Sequence, residues 1–214
     1  TNTADAHTTV NGLVAGTYQF EWTISNGVCT NLKDTVIVTV YPATVPGTLS
    51  ASTTVCATAN SGTLSLAGFT GNILHWEAST DNGTSWTNIP NTTNTLNFTN
   101  LSSTTQYRVS VQSGVCAPQY SNIITVTVLP AVTTANAGTD THVCFTTATT
   151  LAANTPTNGT GTWSVLPGAP SAVSFTNANN PNSTVNGLVV GTYQFVWTIS
   201  NGTCTDSKDT VTIT

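Results

Sequence analysis

Apolar and polar residues alternate with a period of two along much of this chain, which is the pattern of half-buried β-strands. One face of the segment 193–199 carries Tyr193, Phe195, Trp197 and Ile199, and the same face of 18–24 carries Tyr18, Phe20, Trp22 and Ile24. Further strands are predicted at the β-branched runs 35–41, 123–129 and 210–214. Because no segment combines a 3.6-residue period with helix caps, we expect an all-β fold with essentially no helix.

A long internal repeat sets the domain organisation. Residues 1–39 align without gaps with residues 176–214, and roughly two-thirds of the aligned positions are identical. Asn-Gly at 26–27 and 201–202 predicts the same tight turn in both copies. We therefore expect the chain to start about halfway through a domain whose complete copy lies at residues 131–214.

The five cysteines follow the same frame. Cys56 and Cys116 are 60 residues apart, and so are Cys144 and Cys204. Cys29 is the repeat of Cys204, so its partner would precede residue 1. We interpret the set as two disulfides, Cys56–Cys116 and Cys144–Cys204, with Cys29 left unpaired by truncation, and the alternative is buried free thiols. Disulfides would place the chain in an oxidising, extracellular compartment.

Aromatic residues recur at similar distances from these cysteines. The predicted core anchors are Trp22, Trp76, Trp163, Trp197, Tyr107 and Tyr193. Prolyl linkers follow predicted strands at 41–42 and 129–130, and proline ends strand pairing because it lacks an N–H group. The predicted domains are 1–42 (the second half of a sandwich), 43–130 (complete) and 131–214 (complete). Short strands in a Cys…Trp…Cys order favour immunoglobulin-like β-sandwiches.

Two stretches of the chain resemble known repeats. Residues 185–202, VNGLVVGTYQFVWTISNG, resemble the end of a PKD-like domain. Residues 74–86 and 107–116 are similar to Ig-like repeats of giant Bacteroidota cell-surface proteins, including gliding-motility adhesins exported by type IX secretion. The resemblance implies a stalk or filament at the cell surface. It also implies O-glycosylation of Thr35 and Thr210, each of which follows Asp and precedes Val.

Charge and composition exclude several classes of function. Only 5% of the residues are charged, and Lys33, Arg108 and Lys208 cannot form the clustered basic patch that nucleic acid requires. No apolar run approaches the roughly 20 residues of a membrane span. We found no nucleophile–base pair, phosphate loop or metal-ligand spacing, so we expect no enzyme and no cofactor. Asp140 is a weak calcium candidate.

Three functions therefore compete at this stage. The first is a non-catalytic spacer in a large secreted adhesin, whose partners are neighbouring repeats of the same chain. The second is a subunit of a self-assembling extracellular filament, completed by donor strands from a neighbour. The third is a carbohydrate-binding module, which would need a row of exposed aromatic side chains.

Overall fold

A computed structural model describes residues 2–144 and 146–214. The described residues are all strand, turn or irregular, without a helix, as the alternation predicted. The strands are β1 (Gly16–Ile24), β2 (Leu32–Val40), β3 (Thr48–Leu49), β4 (Thr53–Cys56), β5 (Ser61–Ala67), β6 (Asn72–Ser79), β7 (Thr87–Ile89), β8 (Thr95–Thr99), β9 (Thr105–Gln112), β10 (Gln119–Tyr120), β11 (Ile124–Leu129), β12 (Ala148–Thr150), β13 (Thr160–Val165), β14 (Ser174–Phe175), β15 (Thr184–Asn186), β16 (Tyr193–Ser200) and β17 (Ser207–Ile213). The described residues contain no helix suited to crossing a bilayer.

The strands form five sheets. Their orders are β1-β2, β4-β11-β9-β6-β7 with β10 beside β9, β12-β15-β14, β13-β16-β17 and β3-β5-β8. The chain forms two compact units, which are described separately. The first contains the described residues up to Ala51 with Thr63–Asn97 and Thr105–Thr125, and the second contains Ser52–Gly62, Phe98–Thr104 and Val126–Thr214. The domain boundaries after residues 42 and 130 stay a prediction.

The second unit has one continuous apolar core. Strand β16 supplies Tyr193, Phe195, Trp197 and Ile199, all of which are almost fully buried. The indole rings of Trp163 and Trp197 lie 5.1 Å apart, because β13 and β16 pair with these two residues opposite each other. The same alternation that predicted the strand therefore places its large side chains on the buried face.

The first unit buries apolar residues on several of its strands. Those below 9% exposure are Leu49, Leu64, Leu66, Ile73, Trp76, Tyr107, Val109, Val111 and Ile124. Trp76 is fully buried, and its indole N–H donates to the carbonyl of Thr93 at 2.9 Å. Burial raises the pKa of Tyr107. Both residues occupy the core positions that the sequence analysis gave them.

The β6–β7 hairpin turns at Asp81-Asn82-Gly83. Asn82 and Gly83 have φ of 58° and 83°, the left-handed conformation that Asn and Gly adopt at least cost. The Asp81 carboxylate accepts hydrogen bonds from Ser85 and Ser79, which lower its pKa to about 2. The turn is thus closed by its own polar side chains.

The β1–β2 hairpin has the same register as β16–β17. Trp22 lies opposite Asp34 in the first, and Trp197 lies opposite Asp209 in the second. The burial of the two copies differs sharply, since Trp22 is 37% exposed and Trp197 is 0% exposed. Trp22 is therefore not a core anchor in this structure, because none of the described residues covers its face of the hairpin as the first half of the sandwich covers Trp197.

Candidate functional site

The disulfide of the second unit joins Cys56 to Cys204, whose Cα atoms are 5.1 Å apart. Cys56 is the last residue of β4, which runs parallel to β11 and places Cys56 opposite Leu129. The N–H of Ala57 donates to the carbonyl of Leu129 at 2.8 Å. Cys56 therefore lies at the point where β11 ends and Pro130 begins the next segment.

Cys204 reaches this point from the turn between β16 and β17. The side chain of Asn201 closes the turn, because its Oδ1 accepts a hydrogen bond from the N–H of Cys204 at 2.8 Å. The Nδ2 of Asn201 donates to the carbonyl of Pro130 at 3.0 Å, and the Sγ of Cys204 lies 3.5 Å from the same oxygen. The turn therefore packs against Pro130, and this packing brings Cys204 within bonding distance of Cys56.

The predicted pairs Cys56–Cys116 and Cys144–Cys204 are wrong in this structure. Cys116 and Cys144 are free, and Cys29 is free and exposed. Cys56 and Cys116 do not pair here, because the Sγ of Cys56 is bonded to Cys204, and the Sγ of Cys116 lies 3.6 Å from the carbonyl oxygen of Pro42. The equal spacings of 60 residues came from the repeated order of strands, which does not determine which thiols meet.

The turn that carries Cys116 is seated on the earlier prolyl linker. The hydroxyl of Thr44 donates to the carbonyl of the residue after Cys116 at 3.0 Å. Gly114, at φ 53°, packs so closely that an added Cβ would lie 2.2 Å from the ring of Tyr41. Cys116 therefore holds the same position relative to Pro42 that Cys204 holds relative to Pro130.

Cys144 holds the position that corresponds to Cys56. A parallel bridge joins Thr141 to Ile213, and Cys144 follows Thr141 by three residues. Cys56 likewise follows Thr53 by three residues, in a strand that also runs parallel to the last strand of its sheet. A groove of about 270 Å³ lies beside Cys144, and its lining includes Leu188, Val189, Val190, Ile213 and Thr214.

The uncovered face of the β1–β2 hairpin forms a second, larger groove of about 620 Å³. Its apolar lining includes Leu13, Phe20, Trp22, Val36 and Val38. In the second unit, the corresponding strands β16 and β17 pack on Leu151, Trp163 and Val185. The groove therefore corresponds to the interior of a sandwich.

An ionic cluster around the buried Glu77, which the sequence analysis did not predict, lies on β6 and β9. The pairing of these strands places Glu77 opposite Arg108, whose Nε donates to Glu77 Oε2 at 2.6 Å. The hydroxyl of Tyr120 donates to Glu77 Oε1 at 3.3 Å, and His75 Nε2 lies 3.1 Å from that oxygen. The Arg108 guanidinium lies 4.1 Å from the ring centroid of Trp86 and 4.0 Å from that of Tyr120. The sequence signal that could have revealed this cluster is a pair of opposite charges, Glu77 and Arg108, on two strands that pair in the sheet.

Partial burial by itself would raise the pKa of Glu77, but hydrogen bonds from Arg108 and His75 together with the Arg108 charge lower it below its ordinary value. The carboxylate is thus held ionised, with its charge balanced by Arg108. This arrangement ties two strands and two aromatic rings together. The side chain of His75 is partly buried against Glu77.

The remaining predicted sites lie on exposed strand or loop positions. Thr35 and Thr210 are exposed on β2 and β17, and their glycosylation stays a prediction. The carboxylate of Asp140 accepts a hydrogen bond from the N–H of Thr212 at 2.8 Å. Among residues 2–144 and 146–214, no group of three or more His, Cys, Asp or Glu side chains is placed to hold a metal ion.

Comparison with known proteins supports the fold. Residues 45–130 match a family described as a domain of unknown function, DUF8696. No curated protein matches the sequence. An I-band fragment of titin, also solved as a three-Ig variant, is 13% identical with a TM-score of 0.50, and the alignment covers 92% of this chain and 74% of that one.

Extracellular domains 3–5 of Drosophila OTK are 12% identical, with a TM-score of 0.49 and coverage of 91% of this chain and 70% of that one. At these identities the likeness concerns fold alone. With the all-β sheets described above, the titin match shows an immunoglobulin-like β-sandwich fold.

Proposed function

We propose that this chain is a non-catalytic structural segment of a large secreted protein, a stalk at the cell surface that spaces or presents an adhesive part. The observation that carries the proposal is the Cys56–Cys204 disulfide, which joins the segment predicted as the second domain to the one predicted as the third. A bond of this kind resists extension of the chain between the two cysteines, which suits a segment under tension. A disulfide also fits an oxidising compartment outside the cytoplasm.

The use of aromatic side chains supports the same proposal. Trp76, Trp163 and Trp197 are buried in cores, and Trp86 packs against Arg108. The carbohydrate-binding alternative is weaker, because three buried tryptophans are unavailable for the row of exposed aromatic side chains that it needs. The resemblance of the repeats to gliding-motility adhesins of Bacteroidota supports the further proposal that the stalk acts in surface adhesion or gliding and is exported by type IX secretion.

Surface labelling of the source cells tests this function. Intact cells are treated with a membrane-impermeant biotin reagent, and the protein is then captured and detected with an antibody raised against residues 43–214. We expect a biotinylated species much larger than 22.1 kDa that keeps its size on reduction. Detection only after cell lysis would contradict the proposal.

A second candidate is a filament subunit, which the open hairpin favours. The face of β1–β2 that carries Trp22 has the residue pattern of a sandwich interior, and a neighbouring molecule could supply its cover. A species that stays at 22.1 kDa under denaturing, reducing conditions but sediments as an assembly in native buffer would favour this candidate.

A further inference from the structure

The described residues contain one disulfide that joins a cysteine at a strand end to a cysteine in a turn. They also contain one free cysteine at a strand end and two free cysteines in turns. In this disulfide junction, the strand end carries Cys56 and the turn that sits on Pro130 carries Cys204. The free strand-end cysteine is Cys144, and the free turn cysteines are Cys29 and Cys116, of which Cys116 has its Sγ beside the carbonyl oxygen of Pro42.

The registers of the two strand ends agree to the residue. Thr53 pairs with Val126, and Pro130 follows Val126 by four residues. Thr141 pairs with Ile213, which the repeat aligns with Val38, and Pro42 follows Val38 by four residues. A copy of the repeat that continued at Val40 after Thr214 would therefore place its own Pro42 beside Cys144, as Pro130 lies beside Cys56.

We propose that Cys144 of one copy of this repeat forms a disulfide with Cys116 of the next copy. The occupant of the groove beside Cys144 is the turn of the next copy that carries Cys116. This end of the second unit has an apolar surface on which that turn can pack, since Val190 is fully exposed and Val189 is 54% exposed. The inference rests on the proposed stalk function, in which modules follow one another in series.

The bond requires an oxidant, for which a small disulfide such as oxidised glutathione suffices. The thiolate of Cys144 attacks one sulfur of the oxidant, forms a mixed disulfide and releases one thiol. The thiolate of Cys116 in the next copy then attacks the Cys144 sulfur and releases the second thiol. Two protein thiols lose two electrons and two protons in total, and the oxidant is reduced to two thiols.

Two measurements test the pairing. In native material from the source cells, free thiols are blocked, the protein is digested without reduction, and linked peptides are identified by mass spectrometry. We expect a peptide pair that joins Cys116 to Cys144, beside the Cys56–Cys204 pair. Recovery of Cys116 and Cys144 as blocked thiols, or of Cys56–Cys116 and Cys144–Cys204 pairs, would overturn the inference.

The second measurement uses a tandem chain in which residues 40–214 follow residue 214, refolded with oxidised and reduced glutathione. The proposed pairing leaves three free thiols, namely Cys29, the first Cys116 and the second Cys144. Five free thiols would mean that the junction bond is absent, and one would mean that the within-domain pairs form, and either count contradicts the proposal.

Variants of the tandem chain locate the bond. Replacing the first Cys144 by serine should raise the thiol count by one, because its partner is released while Cys144 itself was bonded. Cys29→Ser is the matched control, and it should lower the count by one and leave the junction peptide in place. Surface labelling does not depend on thiol pairing. If the Cys144–Cys116 bond is absent, the proposed stalk function is therefore still tested by the labelling experiment.

Discussion

Replacing Cys56 and Cys204 together by serine removes the disulfide that the second compact unit contains. Serine is close to cysteine in size, so the folded packing around the turn at Cys204 should change little. The effect of the double replacement should therefore arise mainly in the unfolded chain, which regains the freedom that the cross-link removes.

The magnitude follows from the length of the closed loop. The two cysteines are separated by 148 residues. In the chain-entropy relation, a loop of this length lowers the entropy of the unfolded chain by about 17 cal/mol/K, or about 5 kcal/mol at 25 °C. Measured disulfides typically contribute about 2–4 kcal/mol, so we expect a loss of about 3–5 kcal/mol and a fall in Tm of roughly 10 °C.

Calorimetry and denaturant unfolding of the oxidised proteins measure this loss. The control is Cys116→Ser with Cys144→Ser, which leaves the Cys56–Cys204 bond intact. If the cysteines paired as their spacing suggested, both double variants would lose the same two disulfides and the same stability. Equal destabilisation of the two variants would therefore refute the pairing described here, and so would an unchanged Tm in the first variant.

Three further results are expected from single changes. Trp197→Ala should lower the free energy of unfolding by about 3–5 kcal/mol, because the indole is fully buried. Trp22→Ala, at the equivalent exposed site, should lower it much less, and denaturant unfolding of the two variants measures the difference. The pKa of Glu77 is lowered in the folded protein. The stability that its ionised carboxylate contributes is therefore complete above pH 4.5, its ordinary pKa, and is lost as the pH falls through its pKa in the folded protein. Urea unfolding between pH 6 and 3 should therefore show a shallower loss in Glu77→Gln than in the wild-type protein, and parallel curves would contradict the role of the cluster. In single-molecule pulling, reduction of Cys56–Cys204 should add about 50 nm of extensible chain, and an equal contour length before and after reduction would contradict a bond across 148 residues.

The strands and turns of this protein could be predicted because their causes are local. The two copies of the hairpin have different surroundings, yet the N–H of Val14 donates to the hydroxyl of Tyr18 at 3.0 Å, as the N–H of Val189 does to Tyr193. The turn at Asn26 is closed by the same side-chain acceptor as the turn at Asn201. Alternation and turn chemistry act over a few residues, so the sequence determines them without help from the rest of the chain.

The ionic cluster depends on contacts between strands that are distant in sequence. Glu77 and Arg108 are 31 residues apart, and they meet because β6 and β9 pair in one particular register. A shift of one residue in this register would place the two side chains on opposite faces of the sheet. The charges are visible in the sequence, but their meeting is decided by the pairing.

By itself the sequence determined the all-β class, the repeat and which side chains share one face of a strand, since all of these follow from periodicity and local geometry. Only the tertiary structure decided which thiols meet and whether an aromatic face is covered. Cys204 pairs with Cys56 because its turn is seated on Pro130, and Trp22 is exposed where Trp197 is buried because a second layer lies over one copy alone. A disulfide and a packed core both require atoms from separate segments to arrive at one place, and spacing along a chain carries no measure of that distance.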